Sequence, residues 1–265
     1  MKSKKSNLDL IIEKNHLDKA AGYAEEYLRK IYMMKAPVDP LAVAAVNKPR
    51  LIVIGDNFRN RFDGQIRYNK PRNRFILFYN NKYNHGLPPD KQHPRTRFSI
   101  AHELGHFFLP EHRAYLMKHG KFHNSKSEFK SDNVIEKEAD SFAASLLVPE
   151  ELFRPMVNKS ELTVDKIKLF AAYFRTSLVS TSIRSVRLSD FPCAIVAIRD
   201  GRIAWSFQSK SFIEAGCYPP LKSVPKSKTA QEQWRIFEKG QFEDCLLYTS
   251  PSPRDLSTSR MPSSA

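Results

Sequence analysis

Two histidines four residues apart, with a glutamate directly after the first, lie in the segment Phe98-Ser-Ile-Ala-His102-Glu103-Leu-Gly-His106-Phe-Phe-Leu109. On a helix, such positions sit one turn apart on one face, so both imidazoles can reach a single ion. Zinc accepts two such nitrogens at about 2.0–2.1 Å and keeps room for a carboxylate and a water. Glu103 can reach that water, take its proton as general base and hand it to a leaving amine. Each residue type in the pattern is therefore required by metal-assisted peptide hydrolysis. With eight His among 265 residues, a chance match is on the order of one in a hundred. The plainer reading is two buried His on a core helix. The remaining positions, Phe98, Ile100, Ala101, Leu104 and Phe108, are apolar. They predict a helix capped by Thr96, running to about Leu109 and stopped by Pro110.

A third ligand should come from a second helix. Thirty residues on, Val134-Ile-Glu136-Lys-Glu138-Ala-Asp140-Ser-Phe-Ala143 places Glu136 and Asp140 four apart on one face. Glu136 can complete the ligand set, and Asp140 can accept the free ring N–H of a ligand His and fix its tautomer. Glu138 is the competing ligand; its position otherwise points it to solvent. An acidic first turn can also simply serve the helix dipole. His112, His119 and His123 fall between the two helices, and His85 and His93 before the first. Any of them, and Tyr115, could hydrogen-bond an oxyanion or a substrate; His112 and Tyr115 are the named candidates. The plain alternative is that they are exposed loop residues.

Around these helices the pattern is mixed. Leu10 to Tyr32 reads as an amphipathic helix, broken by Pro37-Val-Asp-Pro40, and Leu41–Val46 as a short second one. Arg50–Ile54, Gln65–Tyr68 and Arg74–Tyr79 read as strands separated by the turn compositions Gly55-Asp56-Asn57, Asp63-Gly64 and Lys70-Pro-Arg-Asn73, which predicts a small antiparallel sheet. Glu111–Asn133 is polar and basic, with no defined element. Helices are predicted over Val134–Leu147, Glu150–Phe153 and Val164–Phe174, and Val164–Ser189 could be a helix-turn-helix without a turn Gly. From Cys193 the period changes: Cys193–Ile198, Asp200-Gly201 and Arg202–Phe207 spell a hairpin.

No apolar run approaches the ~20 residues of a membrane span, and the basic N-terminus lacks the apolar stretch of a secretory signal. Cys193 and Cys217 look structural, and the cysteines form neither a disulfide framework nor a thiolate metal site. A cytoplasmic setting is expected. Positive charge concentrates between residues 57 and 97, where ten Lys/Arg face only Asp63 and Asp90. Such a stretch can draw nucleic acid weakly by electrostatics, or serve solubility alone. At the other end, Cys245–Asp255 and Arg260–Ala265 resemble the two ends of a sequencing adapter read in frame. Residues 245–265 are accordingly expected to lie outside the fold, with the natural chain continuing past Asp244. Without Arg254, Asp255 and Arg260 the net charge falls from +15 to +14.

The order Pro37-Val-Asp39, short strands, Arg97-Phe-Ser-Ile-Ala-His-Glu-Leu-Gly-His106, Glu136-Lys-Glu-Ala-Asp-Ser-Phe-Ala143 and Leu146-Leu-Val-Pro149 resembles the ImmA/IrrE family of zinc metallopeptidases, over about residues 10–190. The resemblance implies a zincin-like domain in a bacterial or mobile-element regulator that cleaves a transcriptional repressor, often of the helix-turn-helix kind. It puts zinc on His102, His106 and Glu136, with Glu103 as base. The chain departs from the pattern in its long basic linker after His106, and no repressor-type DNA-binding domain precedes the peptidase segment. The expected class is α+β: a zincin-like domain over 1–155, a helical segment over 156–190, a β-containing accessory region over 191–244 and the adapter-like tail over 245–265. The alternative function is a DNA- or partner-binding regulator with a structural zinc site.

Overall fold

The helical stripe near the N-terminus forms α1, Asn7–Lys30, in the computed structural model. It describes residues 7–88, 91–119, 123–125, 133–199, 201–217, 231–232, 235 and 247–249. The architecture is α+β, in two units: residues 1–152 with 172–177, and 153–171 with 178–265.

In the first unit Ala20, Ala24 and Leu28, spaced by one helical turn, are buried where α1 lies along α5, Val134–Leu147. Asp39 caps α2, Pro40–Ala45, by accepting the Leu41 N–H at 2.9 Å. Strands β1 (Leu51–Asp56), β2 (Gly64–Asn69) and β3 (Arg74–Asn80) follow, and β4 (His123–Ser125) joins them in the order β1-β3-β2-β4. The sheet is mixed where an antiparallel one is expected. β2 and β3 form an antiparallel hairpin, but β1 runs parallel to β3. The cause lies in the connection 57–63, which folds on itself. Phe58 and Phe62 stack at 4.7 Å, and the Asn80 amide donates to the Arg59 and Phe62 carbonyls at 2.7 Å. That knot carries the chain past the place beside β1, and β3 fills it on return.

Helix α3 spans Pro94–Phe108. Its cap is His93, whose Nδ1 accepts the Arg95 N–H at 3.2 Å, rather than Thr96. Pro94, with its preset φ and no N–H to satisfy, suits the first helical position and moves the start forward. Nearly every residue from Thr96 to Phe107 is buried, because α3 is covered by α5 on one side and by β2 and β3 on another. Pro110 does not leave a loop behind it but opens α4, Pro110–His119. Asn133 caps α5, accepting the Ile135 N–H at 3.1 Å. Arg97 is buried. It donates to the Val38 carbonyl and, at 3.1 Å, to that of Arg175, tying the Pro37-Val38-Asp39 segment to α3.

Helices α6 (Glu150–Val157), α7 (Val164–Phe174) and α8 (Leu178–Leu188) come next. Arg175, at φ 53°, takes the left-handed turn position after α7 in place of a Gly. In the second unit α8 packs on a hairpin of β5 (Ala194–Arg199) and β6 (Arg202–Gln208), with the Arg187 guanidinium 4.9 Å from the Phe207 ring centre. Ser209 then caps α9, Lys210–Glu214, and accepts the Cys193 N–H at 3.0 Å. Both Cys193 and Cys217 are buried and unbonded to sulfur. The stretch 245–265 is expected to lie outside the fold, but β7 (Leu247–Thr249) within it pairs antiparallel with β5. An open strand edge presents unpaired N–H and C=O groups that any short extended segment can meet. No described helix is long and apolar enough to cross a membrane.

Candidate metal centre

Helix α3 presents His102 and His106 on one face, with their Nε2 atoms 3.1 Å apart. The first turn of α5 brings Glu136 against them. Its Oε2 lies 3.4 Å from His102 Nε2 and its Oε1 3.7 Å from His106 Nε2. Among the described residues these three form the one group whose ligand atoms all lie within 4.8 Å of one another. Ligand atoms at about 2.1 Å from a tetrahedral ion stand roughly 3.4 Å apart. The His102–His106 spacing is close to that value, each imidazole faces a different oxygen of Glu136, and one ligand atom from each residue lies within 4.8 Å of the others, so this donor set fits a zinc-sized ion after a small adjustment.

What makes the approach of the two helices close is Gly105. A Cβ there would lie 3.1 Å from the Ala139 Cα and 3.3 Å from the Phe142 Cβ. A glycine inside a helix costs roughly 1 kcal/mol against alanine, which usually signals a packing reason. Here the reason is the α3–α5 contact that brings Glu136 to the histidines.

Asp140, one turn after Glu136, has its Oδ1 2.8 Å from His102 Nδ1. Burial by itself lowers the basicity of the His102 ring. Hydrogen bonds to Asp140 and Glu136 and the charge of Glu103 outweigh it and push the pKa up to about 10. The cluster is thus built to hold positive charge, and a proton and a divalent ion compete for the same nitrogen. Glu103 is fully buried. Its carboxylate abuts the start of β2: a Cβ on Gly64 would stand 2.7 Å from Oε1 and 2.9 Å from Cγ. The expected turn residue Gly64 is in fact the strand position that makes room for Glu103.

Two expectations are corrected. Glu138 does not face solvent: it is 9% exposed, since α1 covers that side of α5. Its Oε2 lies 2.7 Å from His112 Nε2 and its Oε1 2.7 Å from His16 Nδ1. His112 offers no free ring nitrogen to a substrate or oxyanion, because its Nδ1 lies 3.0 Å from His106 Nδ1. The immediate restart of the chain as α4 folds His112 back beneath His106. Tyr115 is half exposed, with its ring 4.5 Å from that of His119. His85 and His119 are exposed, and the side chain of His123 lies outside the described residues. His16, absent from the sequence-level candidates, is 122 residues from its partner Glu138 and gives no local signal.

Several cations of 57–97 are engaged within the fold. Arg97 is buried, and Arg95 makes two hydrogen bonds to Asp63, at 2.7 and 3.1 Å. Arg67 lies 4.9 Å from the Phe78 ring centre, and Lys82 donates to Asn60. Of the exposed remainder, Arg59 and Arg61 precede β2 while Lys70 and Arg72 follow it, a strand length of roughly 20 Å apart.

Residues 67–185 match the family model of the IrrE N-terminal-like domain, Peptidase_M78. A solved structure described as a Mycobacterium tuberculosis transcriptional regulator is similar at 16% identity with a TM-score of 0.46, over 73% of this chain and 56% of that one. The chain thus spans little more than half the length of that protein. No curated protein sequence matches it.

Proposed function

We propose that this chain, which belongs to the ImmA/IrrE family through its domain at residues 67–185, is a zinc-dependent endopeptidase of zincin-like fold. It would act in the cytoplasm on a protein substrate, a helix-turn-helix repressor. The observation that carries the reading is the meeting of His102, His106 and Glu136, with ligand atoms within 4.8 Å of one another, beside the buried carboxylate of Glu103. The two His would hold zinc through Nε2 and Glu136 through a carboxylate oxygen. Bound there, the ion would supply Lewis-acid polarisation of a water and of the scissile carbonyl. Glu103 accepts the proton of the attacking water and returns it to the leaving amine, so that the C–N bond breaks without releasing an amide anion. Asp140 accepts the His102 Nδ1–H, which keeps the Nε2 lone pair directed at the ion.

The test is metal content and cleavage of a candidate helix-turn-helix repressor, for wild type, Glu103→Gln and Glu136→Ala. Glu103→Gln should keep zinc and lose at least a hundredfold in rate. Glu136→Ala should lose zinc. Cleavage that survives Glu103→Gln would refute the mechanism, and full zinc content in Glu136→Ala would refute the ligand set.

A further inference from the structure

We infer that His112 and Glu138 form a positioning relay for His106, distinct from the carboxylate that holds His102 and anchored on α1 through His16. The inference rests on the reading that His102, His106 and Glu136 hold the metal.

The direction of every hydrogen bond in the relay follows once His106 binds the metal through Nε2. His106 turns its Nε2 toward His102 Nε2 and the Glu136 carboxylate, so a metal-binding His106 keeps Nε2 bare and carries its hydrogen on Nδ1. That atom lies 3.0 Å from His112 Nδ1, and only one of two facing nitrogens can carry the hydrogen. His112 Nδ1 must therefore accept. A neutral imidazole that accepts at Nδ1 donates from Nε2, which lies 2.7 Å from Glu138 Oε2. The second oxygen of Glu138 accepts from His16 Nδ1, also at 2.7 Å. His112 and Glu138 are both buried. A ring that donates to one fixed acceptor keeps both its tautomer and its orientation, and second partners of this kind typically change metal affinity ten- to a hundredfold. His102 reaches its carboxylate directly and His106 through an intervening imidazole. Both lines of contact end on α5, at Asp140 and Glu138, but the one from His106 passes through His112 on α4 and continues to His16 on α1.

The experiment uses the full chain, with zinc affinity read by competition against a chelating dye. The tautomer of His106 is read by nitrogen-15 NMR on the metal-free protein. His112→Phe keeps a ring but removes the acceptor. It should weaken zinc ten- to a hundredfold and move His106 from the Nδ1–H to the Nε2–H form. His112→Asn returns an oxygen near the former Nδ1 and should recover most of both. A merely space-filling His112 would be served by Phe and harmed by Asn. Unchanged zinc affinity and an unchanged His106 tautomer in His112→Phe would overturn the inference. If His112→Phe does not fold, Glu138→Gln provides the second test. It offers one carbonyl oxygen to two imidazoles and should weaken zinc severalfold with a partial tautomer shift; no change would again overturn the relay. If wild type binds no zinc, or His102→Ala binds as much as wild type, the metal centre itself fails and the relay with it.

Discussion

Gly64→Ala is expected to impair catalysis while leaving the metal in place. The new Cβ would stand 2.7 Å from Glu103 Oε1 and 2.9 Å from its Cγ, where nonbonded contacts of carbon need about 3.4 Å or more. The strand cannot retreat, since Gly64 pairs with Tyr79 on β3 and Ser125 on β4. Glu103 must therefore move by roughly 0.7 Å, within a fully buried site. A misplacement near 1 Å of a reacting group costs on the order of a hundredfold in rate, so a ten- to hundredfold fall in kcat/KM is expected. Overpacking costs about 1–3 kcal/mol, and loss of glycine's unfolded-state freedom offsets about 0.4–1 kcal/mol of it. A net loss of about 1 kcal/mol leaves the fold intact. The three atoms nearest that new Cβ all belong to Glu103, so zinc content should match wild type. Cleavage rate, zinc content and thermal midpoint are measured on one preparation. Wild-type kcat/KM in Gly64→Ala, or loss of zinc in step with loss of rate, would refute the argument.

Gly105→Ala gains about 1 kcal/mol of helix propensity but drives a Cβ to 3.1 Å from the Ala139 backbone. Overpacking of about 1–3 kcal/mol outweighs the gain, and spreading α3 from α5 should weaken zinc binding; a lowered midpoint with unchanged affinity would contradict the second half. Arg97→Met removes the donor to two carbonyls and should cost about 2–4 kcal/mol in denaturant unfolding. In the metal-free chain, carboxylates raise the pKa of His102 from 6.5 to about 10. The stability this contributes is complete below about pH 6.5 and is lost as pH rises through about 10. The metal-free thermal midpoint should thus fall across that window, and zinc, by taking the same nitrogen, should flatten the fall. Equal slopes with and without zinc would count against it.

Four-residue spacing is a local property of a helix, so the shared face of His102 and His106 and that of Glu136 and Asp140 could be read from the chain alone. The same holds for the apolar stripes of α1 and α5 and for the hairpin of β5 and β6, because propensity, capping and period act over a few residues. That the two faces meet at ligand spacing is a matter of packing, made close by Gly105 against Ala139. Position 138 reads as outward on an isolated helix; α1, arriving from 122 residues away, encloses it and supplies His16. Gly64 reads as a turn residue, and only the sheet brings it against Glu103. The parallel pairing of β1 with β3 follows from a folded connection whose Asn80 hydrogen bonds span about twenty residues. Local periodicity determined which residues stand together on each element. The long-range contacts, which leave no period in the sequence, decided what each of those faces would meet.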